Sequence, residues 1–140
     1  MTDLEKARQV FEGDRYAQLT GVEITFVGDW EAVCTLALDE RHRNARDVAM
    51  GGVLFTLADF SAAVAANTEI LNISDTLLLP WVSLDGNIHY LSPANGTRLV
   101  ARCRALKSGR STALYQTTVF DPDSDKTVAI VETTMIKVNG

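Results

Sequence analysis

The segment from Val48 to Thr68 constrains the fold most, because Asp59 is its only charged residue. A membrane-spanning helix is one way to place such a segment, but an Asp at mid-span costs roughly 2.5 to 3.5 kcal/mol on insertion scales. The segment is also mostly Ala, Gly, Ser and Thr, which makes it a poor membrane span. We therefore predict no membrane span, but a helix from about Gly51 to Ala66 that is buried on most sides in a protein core.

The composition is that of one ordinary globular domain over residues 1–140, with 46% apolar and 22% charged residues. The formal net charge of −5 disfavours general nucleic-acid binding, so an anionic ligand would have to meet a local basic cluster. Cys34 and Cys103 are expected to be buried, reduced thiols rather than metal ligands or disulfide partners. The N-terminal residues contain no apolar signal core, which predicts a cytoplasmic location.

Periodicity predicts one amphipathic helix, a core helix and about six strands. Thr2 to Glu5 reads as a capping box that starts the first helix. Tight turns between the later strands indicate an antiparallel sheet. Because only the sheet can cover the core helix, we predict an α+β fold in which a curved antiparallel sheet wraps around it. The predicted elements are a helix over 3–17, strands over 21–26 and 30–38, the core helix over 51–66, and strands over 80–90, 97–107, 111–121 and 127–138.

Asp59 is the most informative residue, because its helical neighbours, which include Phe55 and Thr56, provide no cation. An unpaired buried carboxylate is expensive, so Asp59 needs a polar partner from another element, another subunit or a ligand. One interpretation is structural, with Asp59 accepting hydrogen bonds, for example from Thr56. The other is a desolvated base or nucleophile with a raised pKa. The residues alone leave both open.

Met50, Gly51 and Gly52 come directly before the core helix, where two glycines allow a ligand to approach unpaired backbone N–H groups. Such a helix start suits an oxyanion that forms on a carbonyl carbon, although Gly-Gly also marks tight turns. Asp59 lies about 12 Å further along the helix. A site that uses both the two glycines and Asp59 therefore favours two helices that meet across a symmetric dimer, each of which supplies one of the two groups.

The loop before the helix contains Asn44 among Arg41, Arg43 and Arg46. Asn44 is either a turn residue among solvated charges or an amide that orients a reactant beside a phosphate-binding patch. His42 and His89 are expected to be exposed.

Together these residues resemble the hotdog-fold thioesterases, specifically the PaaI-like acyl-CoA thioesterase group. That family has an Asn, then His-Gly-Gly, then a helix with an acidic residue, and Asn44, Met50-Gly51-Gly52 and Asp59 stand at matching intervals. The resemblance continues through residues 82–90 and through the turn at 107–111, and it covers about residues 20–138. The chain departs from the pattern at Met50, where the family has a His.

The resemblance implies a homodimer, often paired again into a tetramer, that binds acyl-CoA at its interface and hydrolyses the thioester. Asp59 would be the general base or the nucleophile, and Gly51 would donate its backbone N–H to the carbonyl oxygen. Asn44 of the opposite subunit would position the water or the thioester. Ser83 would support the water. Substrate contacts are expected from Met50, Gly52, Phe55 and Arg110. No metal or cofactor is expected, because coenzyme A is part of the substrate.

Coenzyme A phosphates require local cations, and three groups are available, with Arg110 the first choice because it belongs to the resembling turn. The groups are Arg41, Arg43 and Arg46; Lys107 and Arg110; and Arg98, Arg102 and Arg104. The acyl group is not predicted; Phe55, Leu78, Leu79 and Trp81 are equally plausible as pocket walls and as core.

Three alternatives are weaker. A non-catalytic acyl-CoA-binding protein could retain the pocket after the family His became Met50. A hotdog hydratase or dehydratase would need a His that is absent at the matching place. A structural protein without a ligand would leave an unexplained Asp59 in an Ala-rich helix.

Overall fold

The computed structural model describes residues 1–72 and 79–138. The helices are α1 (Asp3–Val10), α2 (Arg15–Thr20) and α3 (Gly51–Ala66), and short 3₁₀ turns cover Phe11–Gly13, Glu40–His42 and Thr68–Asn72. The strands are β1 (Val22–Gly28), β2 (Glu31–Ala37), β3 (Trp81–Tyr90), β4 (Arg98–Ser108), β5 (Thr112–Asp121) and β6 (Lys126–Lys137).

The strands form one antiparallel six-stranded sheet in the order β1-β2-β4-β5-β6-β3. Helix α3 contacts all six strands, and residues on most of its sides, among them Leu54, Leu57, Ala62 and Val64, are buried. The predicted α+β fold, with one helix as the core of a curved sheet, is confirmed. None of the helices in residues 1–72 and 79–138 combines the length and the apolar content needed to cross a bilayer.

The predicted N-terminal helix over 3–17 is wrong in one respect, because it is two helices. The capping box is present, since the Thr2 hydroxyl accepts from the Glu5 N–H and the Glu5 carboxylate accepts from the Thr2 N–H. Helix α1 then ends in a 3₁₀ turn, and the Asp14 side chain accepts from the Ala17 N–H at 3.1 Å to start α2. Gly13-Asp14 was the available signal, a glycine that ends one helix and an N-cap that begins the next.

The two thiols lie on the inner face of the sheet, where Cys34 is 0% and Cys103 2% exposed. Both are free. Burial raises the pKa of each thiol to about 12. The prediction that both thiols are buried is confirmed.

Candidate active site

Helix α3 passes β3 in the opposite direction, and three contacts join them at successive turns of the helix. Near the middle of α3, Asp59 meets Ser83 at the start of β3. One turn earlier, the Phe55 ring lies over Gly86, so closely that a Cβ on Gly86 would be 2.8 Å from Cζ of the ring. At the first residue of the helix, a Cβ on Gly51 would be 2.9 Å from the Tyr90 hydroxyl. The packing of α3 on β3 thus places four sequence-predicted residues along one line of contacts: Asp59, Ser83, Phe55 and Gly51.

Asp59 finds its polar partner on β3. The Ser83 hydroxyl donates to Oδ1 of Asp59 at 2.9 Å and lies 3.5 Å from the Met135 sulfur. The Thr56 hydroxyl donates instead to the Gly52 carbonyl at 2.8 Å, so the suggested Thr56 partner for Asp59 is wrong. Asp59 is half-buried and Ser83 is exposed. The carboxylate is therefore held by one hydroxyl and stays open to a ligand from the β3 side.

A β-bulge explains why odd-numbered residues near the start of β3 and even-numbered residues further along it both face α3. Ser83 pairs with Met135 and Asp85 with Thr134, which leaves Leu84 as an extra residue in the strand. Side chains alternate along a strand, and one extra residue reverses the alternation. Trp81 and Ser83 point to the helix before the bulge, and Gly86 and Tyr90 do so after it.

Asn67 fixes the junction between the end of α3 and the start of β3. Its amide is fully buried, accepts from the Trp81 N–H at 3.0 Å and donates to the Trp81 carbonyl at 3.1 Å. It also donates to the Ala63 carbonyl at 2.8 Å. Because Ser83 follows Trp81 by two residues, this clamp sets the position of the serine relative to Asp59.

The N-terminal end of α3 presents unpaired donors. The Met50 N–H donates to the His42 carbonyl at 2.9 Å, and the Val53 N–H donates to the Met50 carbonyl at 2.9 Å. Within residues 1–72 and 79–138, no acceptor meets the N–H groups of Gly51 and Gly52. These two donors and the helix dipole make the end of the helix suitable for a developing negative charge.

Asn44 lies in the loop that leads to this end of the helix. Its Oδ1 accepts from the Arg46 N–H at 2.9 Å and from the Val48 N–H at 3.4 Å, and the residue is exposed. In one chain, therefore, Asn44, Met50, Gly51 and Gly52 lie at the start of α3, and Asp59 lies about 12 Å along it with Ser83. One chain does not bring both groups together.

His42 is buried, which corrects the expectation of an exposed loop histidine; His89 is exposed as expected. The His42 Nδ1 accepts from the Asp39 N–H at 3.0 Å, and the His42 Nε2 donates to the Thr20 carbonyl at 2.7 Å. Both ring nitrogens are occupied, so His42 anchors the loop and does not face a substrate.

Three of the eight candidate cations have hydrogen-bond or ion-pair partners among the described residues. Arg41 donates to the Leu19 carbonyl at 2.8 Å, and Arg43 donates to the carbonyls of Asp47 and Gly96 at 3.2 Å. Arg98 pairs with Asp123 at 3.0 Å. Arg110 lies in the turn between β4 and β5, at the end of the sheet where β3 begins. Arg46, which the sequence placed only as one of a cluster, lines a groove at the start of α3.

That groove has a volume of about 640 Å³ and runs along the end of β3 and the residues after it, with Gly51 at its edge. We call it the N-terminal groove; its lining includes Arg46, Gly51, Leu54, Tyr90, Leu91 and Pro93. Of the suggested acyl-pocket walls, Trp81 is buried in the core, and Leu78 lies outside the described residues. Another groove of about 530 Å³, which includes Arg102, Arg104 and Phe120, lies on the sheet away from α3.

Comparison with known proteins decides the family. Residues 47–128, more than half of the chain, match the model of the thioesterase superfamily. This chain belongs to the thioesterase superfamily. It is 26% identical over 137 residues to the acyl-coenzyme A thioesterase PaaI of Escherichia coli, covering 97% of this chain and 91% of that protein. It is 31% identical over 106 residues to the human acyl-coenzyme A thioesterase 13, covering 71% of this chain and 67% of that protein.

The fold agrees with solved members of the superfamily. The structure of E. coli PaaI superimposes with a TM-score of 0.84 at 26% identity, covering 99% of this chain and 98% of that chain. The predicted PaaI-like hotdog fold is thereby confirmed, and so is the prediction of a thioester hydrolase. The roles of individual site residues stay predictions.

Proposed function

We propose that this thioesterase-superfamily member hydrolyses acyl-CoA thioesters with a small, medium-chain or aromatic acyl group. The observation that carries the proposal is the half-buried Asp59, held by Ser83 and open toward the exposed side of β3. The names of the E. coli and human relatives support acyl-CoA as the substrate class. The E. coli PaaI structure is described as coming from a phenylacetic acid degradation operon, which supports including aromatic acyl groups.

In the proposed reaction, the Asp59 carboxylate takes a proton from water as the water oxygen attacks the thioester carbonyl carbon. The carbonyl oxygen becomes an oxyanion and accepts a hydrogen bond from the Gly51 N–H. Collapse of this intermediate breaks the C–S bond, and the leaving thiolate takes up the proton. The products are a carboxylic acid and coenzyme A. Direct attack by the Asp59 carboxylate, through an anhydride that water then hydrolyses, is the other route.

The remaining predicted residues have supporting roles. Asn44 positions the water or the thioester through its amide nitrogen, since its oxygen is engaged by the loop backbone. Phe55, half-buried above Gly86, forms part of the acyl-group wall. Gly52 leaves space at the helix start, because a Cβ there would meet nothing within 4 Å. Exposed Met50 contacts the substrate without a hydrogen bond.

A complete site requires a dimer in this proposal, with Asp59 and Ser83 from one subunit and Asn44 and Gly51 from its partner. Two observations support dimerisation through β3. Among the described residues the strand pairs only with β6, at an edge of the sheet, and it exposes Val82, Leu84 and Tyr90. A ten-residue edge strand without Lys or Pro is open to pairing with another strand. Pairing of two dimers stays a prediction, as do the cytoplasmic location and the absence of a metal or cofactor.

Subunit complementation tests the shared site. Asp59→Asn and Asn44→Ala proteins, each with low turnover, are unfolded together and refolded as a mixture. If the site is shared, mixed dimers contain one intact site and turnover rises to up to about one quarter of the wild-type value. No rise above the separate variants, with mixed dimers demonstrated by mass spectrometry, would contradict a shared site.

The alternative is an acyl-CoA-binding protein without turnover, and Met50 is the observation that favours it. Release of free thiol from acetyl-, hexanoyl-, decanoyl- and phenylacetyl-CoA distinguishes the two functions. Turnover of any of them supports the thioesterase, and the best substrate indicates the size of the pocket. Binding without turnover supports the alternative, in which case Met50→His is the variant that should introduce hydrolysis.

A further inference from the structure

The N-terminal groove contains one cation. Its volume of about 640 Å³ lies within the range of about 300–1,000 Å³ typical of small-molecule sites. Among the described residues that line it, Arg46 alone carries a charge, and Leu54, Leu91 and Pro93 supply apolar surface. The groove leads from Arg46 to Gly51, where the proposed oxyanion donor lies.

Within the described part of the chain, Arg46 is also the arginine of its loop whose guanidinium has no partner. The neighbouring Asp47 carboxylate lies 4.0 Å from Arg43 Nε, so its charge is directed to Arg43. Arg41 lies 3.3 Å from the Asp39 carboxylate. Across residues 1–72 and 79–138, no acceptor or carboxylate meets the Arg46 guanidinium.

The backbone that carries Arg46 is fixed in place. Its N–H donates to Asn44 Oδ1 at 2.9 Å, and the Asp47 N–H donates to the Asn44 carbonyl at 2.9 Å. Asp47 has a φ of 62°, the left-handed conformation that closes the turn. The turn therefore holds the base of the arginine at the edge of the groove and leaves its guanidinium exposed.

We propose that Arg46 binds a phosphate of coenzyme A, while the apolar wall of the N-terminal groove holds the pantetheine arm that ends at Gly51. The inference rests on the proposed function and names the residue that selects coenzyme A thioesters over thioesters without phosphate. A chain of net charge −5 needs a local cation for an anionic substrate. A planar guanidinium suits phosphate because it can donate two parallel hydrogen bonds.

Kinetics on two substrates with the same acyl group test the proposal. Hexanoyl-CoA carries phosphates, and hexanoyl-pantetheine does not. Arg46→Ala should raise KM for hexanoyl-CoA about tenfold with kcat unchanged, and leave both constants for hexanoyl-pantetheine unchanged. Arg15→Ala, which removes an exposed arginine on α2 that lies outside the candidate phosphate-binding groups, is the control and should change the constants for neither substrate. An unchanged KM for hexanoyl-CoA, or an equal rise for both substrates, would overturn the proposal.

Binding of free coenzyme A separates this proposal from the proposed function, because it requires no turnover. Titration calorimetry should give a Kd about tenfold weaker for Arg46→Ala than for wild type and for the control Arg15→Ala. That result supports the phosphate contact even if no thioester is hydrolysed. Equal Kd values, or no binding of coenzyme A by wild type, overturn it even if the protein is an active thioesterase.

Discussion

The Ser83 hydroxyl donates a 2.9 Å hydrogen bond to Oδ1 of Asp59, across the seam between α3 and β3. This bond orients the carboxylate and leaves Oδ2 available to a water molecule. Asp59 is therefore held in one orientation and stays accessible to a ligand, although it belongs to an apolar helix. The Asn67 clamp sets the position of Ser83 for this bond, and the Leu84 bulge then brings Gly86 and Tyr90 to the same side of β3.

Ser83→Ala should lower kcat about tenfold, because a hydrogen bond to a charged group is worth about 1.5 kcal/mol or more. Thiol-release kinetics on one acyl-CoA measure the change. Thr56→Val is the matched control: it removes a hydroxyl one turn from Asp59 that donates to the Gly52 carbonyl instead. Equal losses in the two variants would mean that the Ser83 bond has no special part in turnover.

Gly51→Ala and Gly52→Ala should differ although the residues are adjacent. A methyl on Gly52 meets nothing within 4 Å, so this variant should gain up to about 1 kcal/mol in the free energy of unfolding. A methyl on Gly51 would lie 2.9 Å from Tyr90 Cζ and must displace the exposed ring. We expect Gly51→Ala to gain less stability in urea unfolding and to raise KM for acyl-CoA. Equal stabilities and an unchanged KM would show that the contact with Tyr90 is unimportant.

The two histidines should respond very differently to alanine. Loss of His42 leaves the Asp39 N–H and the Thr20 carbonyl without their partner and opens a cavity, so the free energy of unfolding should fall by about 2–4 kcal/mol. His89→Ala, at an exposed position, should change it by less than about 0.5 kcal/mol. Denaturant unfolding of both variants makes the comparison, and similar values would contradict an anchoring role for His42.

Alkaline pH should destabilise the protein through its thiols. Burial raises the pKa of Cys34 from 9.0 to about 12, so between these values the unfolded chain has lost a proton that the folded chain retains. The contribution of Cys34 is fully present below pH 9 and is lost as pH rises toward 12, by up to about 1.4 kcal/mol per pH unit. Unfolding measured from pH 8 to 10.5 should show a shallower decline for Cys34→Ala than for wild type. If the free energy of unfolding fell equally steeply with pH in both proteins, Cys34 would not be a source of the alkaline destabilisation.

The sequence predicted the layout of the fold well because its strongest signals are local or follow from burial. The nearly uncharged helix from Gly51 to Ala66 has no stable place other than inside the sheet, and the turn residues determine where the strands end. The break between α1 and α2 was missed because periodicity continued through Gly13-Asp14. The burial of His42 was missed because its acceptor, the Thr20 carbonyl, is brought to it only by the tertiary fold.

The site was less accessible to sequence reasoning. Asp59 and Gly51 stand out because a charge in an apolar helix and a pair of glycines before it are local anomalies. That Ser83, Gly86 and Tyr90 all face α3 depends on a bulge, and no residue near Leu84 indicates an extra position in the strand. Arg46 could not be distinguished from Arg41 and Arg43 by spacing. Only the hydrogen bonds and ion pairs of the described residues distinguish Arg46, whose guanidinium has no partner there, from Arg41 and Arg43.

The most direct test of the central claim compares wild type with Asp59→Asn in free-thiol release from the best acyl-CoA substrate. Asparagine retains an oxygen that can accept from Ser83, so circular dichroism and unfolding should show an intact fold. We predict turnover by wild type and a loss of at least about 100-fold in the variant, because the general base or nucleophile is removed. Full turnover by folded Asp59→Asn would show that Asp59 is neither the general base nor the nucleophile.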